Sequence, residues 1–151
     1  MRRMSGIGAM LAALLGPGAA AAAAVDAEGY REGQVWDYRT RPGDEGSLLR
    51  IGRIEPSPAG VDGDRIYHIS IAGVRLAPEG APTILEHLPV AKETLDASVT
   101  RRTDRTADFG DMDEGIAEWR RARGGVFKIP VADLIETIAQ TLVTGTAQPS
   151  E

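Results

Sequence analysis

Cysteine and asparagine are absent from this chain of 151 residues, and histidine occurs only twice, at His68 and His87. Without cysteine there is no thiol nucleophile, no disulfide framework, no lipid-attachment site and no thiolate cluster for zinc. With two histidines in neither H-x-H nor H-x-x-x-H spacing, a zinc site would need a third ligand from elsewhere. Lysine is almost missing too: 15 of the 17 basic residues are arginine. With abundant alanine and glycine, this bias points to a GC-rich bacterial genome.

Motif absences narrow the chemistry further. There is no G-x-S-x-G elbow, no S-x-x-K pair and no P-loop. The acidic run "DFGDMDEG" (Asp108 to Gly115) fails as an EF-hand loop. If Gly115 takes the sixth position, Gly110 and Met112 fall where the first and third carboxylates belong. The run reads instead as the solvated start of a helix, and no cofactor is implied.

What is present at the N-terminus reads as an export signal. Met1-Arg2-Arg3-Met4 is a charged start, Ile7 to Leu15 a short apolar stretch, and Gly16-Pro17-Gly18 a helix breaker. The alanines up to Ala24 supply the small residues a signal peptidase requires, and Val25 with Ala27 offers a second cleavage point. An uncleaved anchor helix is the alternative, which Pro17 and the dominance of alanine and glycine disfavour. Cleavage after Ala24 leaves about 127 residues, enough for one domain, and moves the net charge from −5 to −7. A chain this acidic repels phosphate backbones, so nucleic-acid binding is disfavoured. The expected location is periplasmic or secreted.

Strand patterns dominate from Tyr30 onward. "QVWDY" (Gln34 to Tyr38) and "SLLRIGRIE" (Ser47 to Glu55) flank Arg41-Pro42-Gly43-Asp44, a type II turn signature. Gly52 marks a bulge, with Ile54 resuming the buried face. "RIYHISIAGVRL" (Arg65 to Leu76) alternates strictly, and "TILEHL" (Thr83 to Leu88) is a further short strand. The second half reads as helices over Pro89–Arg101, Asp111–Arg123 and from Pro130 to Leu142, with a short strand at Val126–Ile129. In the last helix Val131, Leu134, Ile135, Ile138 and Leu142 share one stripe. The expected class is α+β: a small antiparallel curled β-sheet packed against two or three helices on one face. It forms a single domain over residues 30–142, after a signal peptide at 1–24 and before a disordered tail at 143–151.

Several segments carry a resemblance: G-Q-V-W-x-Y-x-T-R-P-x-x-E-x-S (Gly33 to Ser47), H-x-P (His87 to Pro89), L-x-x-S-V-T (Leu95 to Thr100), E-G-x-A-E-W (Glu114 to Trp119) and G-V-F-x-I (Gly125 to Ile129). In this order they resemble a family of short bacterial proteins of uncharacterised function, over roughly Gly33 to Ile138. The resemblance implies a small α+β domain and brings no activity, cofactor or catalytic residue. The departure is Ala91, where a serine-like helix cap is expected.

Two candidate sites remain. Trp36, Tyr38, Arg39 and Arg41 combine stacking surface with guanidinium forks around a turn, a ligand-binding set for an anionic or aromatic molecule; the alternative is a hairpin in which Pro42-Gly43 makes the turn, Trp36 sits in the core and the charges pair locally. His68 and His87, with a carboxylate such as Glu86 or Asp96, form the alternative, an acid–base pair for a small hydrolase or lyase; equally, His87 serves only to hydrogen-bond the backbone at the helix entrance. The arginines Arg120, Arg121 and Arg123 complement a helix C-terminus and offer a contact for an acidic partner. The leading expectation is a non-enzymatic binding module whose partner is an envelope or secreted protein, or a small anionic ligand. A mainly structural envelope role is the third reading.

Overall fold

The alternation of Arg65–Val74 puts Tyr67, Ile69 and Ile71 on one side and Ile66, His68 and Ser70 on the other, and the whole strand is buried except at Arg65 and Gly73. A strand buried on both sides needs cover on both sides. The structure, a computed structural model, describes residues 29–57 and 64–147. An open five-stranded antiparallel sheet runs in the order β4-β3-β2-β1-β5, from β1 (Val35–Tyr38), β2 (Leu48–Pro56), β3 (Arg65–Val74), β4 (Thr83–Val90) and β5 (Val99–Thr103). Its helices are α1 (Lys92–Ser98), α2 (Asp113–Ala122) and α3 (Val131–Ala147). The protein is thus α+β.

The first face holds the main core. Trp36, Tyr38, Leu49, Ile51, Tyr67, Ile69, Ile71 and Val90 meet Leu95 of α1 and Val131, Leu134 and Ile135 of α3. The start of α3 is fixed by the hydroxyl of Ser98, which donates to Thr94 O and accepts from Val131 N. The opposite face is smaller. Leu48 and Ala72 pack against Phe109, and α2 turns its buried Ile116 inward. Gly115 of α2 lies so close to the sheet that a Cβ there would stand 2.7 Å from His87 Cβ. Helices therefore cover both faces, correcting the one-sided arrangement expected from sequence.

Gly52 is the pivot of the second face. It interrupts the β2–β3 register between Ile51 and Arg53, as the sequence pattern predicts. An extra residue reverses the pleat parity beyond it. Upstream, Leu49 and Ile51 face the core while Leu48 and Arg50 face away; downstream, Ile54 returns to the core side. Arg50, Arg53 and Glu55 consequently share one face, though even and odd positions of an unbroken strand would separate them. A side chain at Gly52 would also collide with Met112.

Several boundaries move. The helix expected over Pro89–Arg101 shortens to Lys92–Ser98, and Val99–Thr103 is instead the edge strand β5, paired with β1. Its β-branched Val99, Thr100 and Thr103 suit a strand better than a helix. Ala91 makes no side-chain cap bond, as its methyl dictates. At the other end α3 continues through Ala147, so residues 143–147 are helical rather than a tail. The short strand expected at Val126–Ile129 reduces to a single parallel bridge, Val90 to Phe127. The signal peptide and the last four residues lie outside the described residues.

Candidate functional site

The hairpin turn folds as its residues require. Asp44 N donates to Arg41 O, and Gly43 adopts φ 98° at the third turn position. Asp44 is fully buried there. Its carboxylate accepts from Arg41 Nε at 2.8 Å and from Arg75 N at 3.0 Å. The Arg41 guanidinium also donates to Glu136 Oε1 of α3 and to Arg75 O. These bonds to Asp44 and Glu136 hold Arg41 firmly protonated.

The other residues expected in this site are likewise committed inside the fold. Trp36 is 1 % exposed, and its indole N–H donates to Gln34 Oε1. Tyr38 is buried as well, its hydroxyl 2.7 Å from Ser47 Oγ, which donates onward to Ala72 O. Serine has one proton to give, so the tyrosine hydroxyl donates to it; burial pushes the Tyr38 pKa up to about 12. Arg39 is exposed but donates to Ala97 O. Trp36 and Tyr38 therefore offer no stacking surface, and all three nitrogens of Arg41 already donate inside the protein. The structure leaves Arg39 exposed and Arg41 mostly buried on the groove wall, apart from the two aromatics.

A groove does open beside the turn. It has a volume of about 840 Å³ and runs between Thr40–Asp44, Arg75–Pro78 and α3. Small apolar groups line it, among them Leu76, Ala77, Pro78, Ala132 and Val143. Its charged residues are Arg41, Arg75, Asp44, Asp133 and Glu136, which sum to one negative charge. Val143 on its wall is 58 % exposed, and the neighbouring Leu142 is 50 % exposed.

The two histidines do meet. His68 Nδ1 lies 2.8 Å from His87 Nε2, with the rings stacked at a 5.0 Å centroid separation. Beyond His68, its Nε2 faces Glu55 Oε2 at 3.5 Å, a long contact that leaves the nitrogen without a true hydrogen bond. Glu55 in turn accepts from Arg120 of α2 at 2.5 Å. Trp119 stands edge-on to His68, its indole N–H bonded to Gly125 O. The carboxylate is thus Glu55. Glu86 is taken by Asp111 N, and Asp96 by Tyr30 and Lys92. His87 binds the other imidazole, not the backbone at the helix entrance.

Proton positions follow from the neighbours. A carboxylate only accepts, so the His68 nitrogen facing Glu55 carries the proton. His68 Nδ1 is then the acceptor, and His87 Nε2–H the donor. Both rings are held neutral. Burial lowers His87 to about 4, with His68 adding to the effect. Burial also lowers His68, opposed by Glu55 and reinforced by Arg120 and Arg53.

The contact between the two imidazoles clamps β3 to β4. His68 is completely enclosed, and neither the groove nor a second cavity beside α2 is lined by either histidine. A general base needs a substrate proton within hydrogen-bond reach. Among the described residues no group of three His, Asp or Glu is placed to hold a metal ion, and no helix is long and apolar enough to cross a membrane.

Sequence reasoning missed Asp44, Glu55, Glu136 and Arg120 as organisers. Asp44 has a local partner in Arg41, but the contacts Asp44–Arg75, Glu55–His68, Glu136–Arg41 and Arg120–Glu55 span 31, 13, 95 and 65 positions, beyond any local pattern. One signal was available: the Gly52 bulge, whose parity change moves Glu55 to the His68 face. No protein-family model, curated protein or solved structure matches the chain.

Proposed function

We propose that this is an exported, non-enzymatic binding module, and that the groove between the Arg41 turn and α3 receives an apolar segment of a partner protein in the envelope or outside the cell. The observation that carries this reading is the groove itself, framed by a rigid Asp44–Arg41–Glu136 lock. Rigid walls reduce the ordering cost of binding. Exposed Val143 extends its apolar wall beyond what the core uses.

The charge balance selects the occupant. Arg41 is neutralised from two sides, and the remaining balance is negative, so a small anion gains little there. An apolar stretch free of acidic residues, with a basic residue to meet Asp133, fits better. The export part of the proposal rests on the N-terminal sequence pattern alone.

Affinity capture with tagged protein tests the reading. Val143→Glu adds a like charge to the groove without entering the core, and is expected to abolish recovery of a stoichiometric partner. His87→Gln alters only the clamp and is expected to leave recovery intact. Retention by Val143→Glu with loss in His87→Gln would overturn the assignment.

A hydrolase using His68 and His87 is the second reading, favoured by the 2.8 Å contact between the rings. Its enclosed His68 argues against it.

A further inference from the structure

Four arginines fall between Gly33 and Glu55, and the structure treats them very differently. Arg39 and Arg41 are committed to the fold, and Arg53 pairs at 3.5 Å with Asp113. Arg50 has no acceptor at all among the described residues. Its guanidinium lies 5.0 Å from the centroid of the Phe109 ring, and its Nε is sealed from solvent without a hydrogen bond. The terminal nitrogens are neither sealed nor paired.

This arrangement is built rather than incidental. Phe109 is 4 % exposed and packed with Leu48 and Ala72, so the aromatic platform is fixed. The loop bearing it is anchored by Asp111 N to Glu86 and by Arg105 to Asp37 and Gly46 O. A planar cation stacked on a fixed ring loses little freedom when its fork is engaged. A cavity of about 450 Å³ opens here, lined by Arg50, Arg53, Gly33, Gly52, Asp111 and Asp113 among others. The Gly52 bulge is what puts both arginines on its wall.

From these observations we infer a second binding site: the cavity takes a small molecule bearing a carboxylate or phosphate group, seated end-on against the terminal nitrogens of Arg50. The lining side chains Arg50, Arg53, Asp111 and Asp113 sum to zero, and Glu86 beside Asp111 and Gly110 adds a negative charge. The pull on an oxyanion therefore comes at short range from the unengaged Arg50 fork and not from net charge. Desolvation on one side strengthens the pull of Arg50 on an incoming oxyanion. The start of α2 contributes little, because Asp111 N and Asp113 N are already bonded to Glu86 and Asp111. The volume admits an oxyanion with a short body, at the small end of ligand cavities. This site is separate from the groove beside α3 and does not depend on it.

Titration of 15N-labelled protein with inorganic phosphate and, separately, with succinate tests the inference. Saturable shifts are expected at the amides of Gly33, Gly52 and Gly110 for at least one probe, and the stronger one identifies the preferred group. Arg50→Gln is expected to weaken that binding roughly ten- to a hundredfold, the range for a lost charge-assisted bond. Asp111→Asn keeps an acceptor for Asp113 N while removing the opposing charge, and is expected to tighten binding by about two- to fivefold. Absence of saturable shifts with both probes, equal binding by Arg50→Gln, or weaker binding by Asp111→Asn would each refute the site.

Discussion

Acid should loosen this protein through one contact, and the size of the effect can be worked out. In the neutral pair His87 Nε2–H donates to His68 Nδ1 across 2.8 Å. A proton added to His68 turns the acceptor into a second donor, and one added to His87 leaves a charge beside Gly115 with no carboxylate in contact. The groups facing the pair are Glu55 and Arg53 of β2 and Arg120 of α2. Glu55 is already shared with Arg120, so it offsets only part of the cost. Both folded-state pKa values lie below the unfolded value, so the unfolded chain takes up protons first. Stability is therefore full above about pH 6.5 and declines as pH falls toward 4. With His87 at about 4, linkage gives a loss near 2 kcal/mol at pH 5, trimmed to about 1–2 kcal/mol because the ring is partly solvated. Urea unfolding at pH 7.5 and pH 5.0 measures it. His87→Gln keeps an N–H donor for His68 but does not titrate, and its stability should fall by about 1–2 kcal/mol less over the same interval. Equal losses in the wild type and the variant would refute both the proton assignment and the burial argument.

Further outcomes are expected elsewhere. Asp44→Ala strands Arg41 Nε and Arg75 N, and should destabilise by about 3 kcal/mol in chemical denaturation, with Asp44→Asn costing less because its carbonyl still serves Arg75 N. Gly115→Ala should reverse the usual helix preference: alanine gains up to about 1 kcal/mol in an open helix, but here the added methyl meets His87 Cβ at 2.7 Å, and a net loss of about 1–3 kcal/mol is expected in thermal melts. Arg123, with φ 52° after α2, is the only non-glycine residue at positive φ among the described residues; Arg123→Gly should raise stability by about 0.5–1 kcal/mol, read as a higher urea midpoint.

Much of the architecture was legible because its signals are local. The turn at Arg41–Asp44, the alternation from Arg65 to Val74, the bulge at Gly52 and the stripe from Val131 to Ile138 each sit within a few residues. Edge strand β5 escaped because Leu95 and Val99 also fit a helix; only pairing with β1 decides between the two. Leu142 continues the stripe, yet is half exposed, because the residues of α3 packed in the core end at Ile138 and Ala139. The candidate sites were less legible. Trp36 and Tyr38 have the composition of a binding surface, but burial depends on α1 and α3 closing over them. Arg50 has the same residue type as Arg41, and what separates them is Asp44 and Glu136 on one side and Phe109 on the other. The meeting of the histidines follows from the β3–β4 register, in which His68 faces Pro89 and lies near His87; pairing of the two strands is expected from their short connection, but the register is specified only in the folded sheet.

The central claim is that partner recognition lies at the groove beside α3 and not at the histidine clamp. A photo-activated crosslinking residue placed at Gln140 on the groove wall, and in a second version at exposed Arg121 on α2, tests it in living cells. One discrete protein adduct is expected from the Gln140 position and none from Arg121. An adduct from Arg121 alone, or no adduct from either, would contradict it.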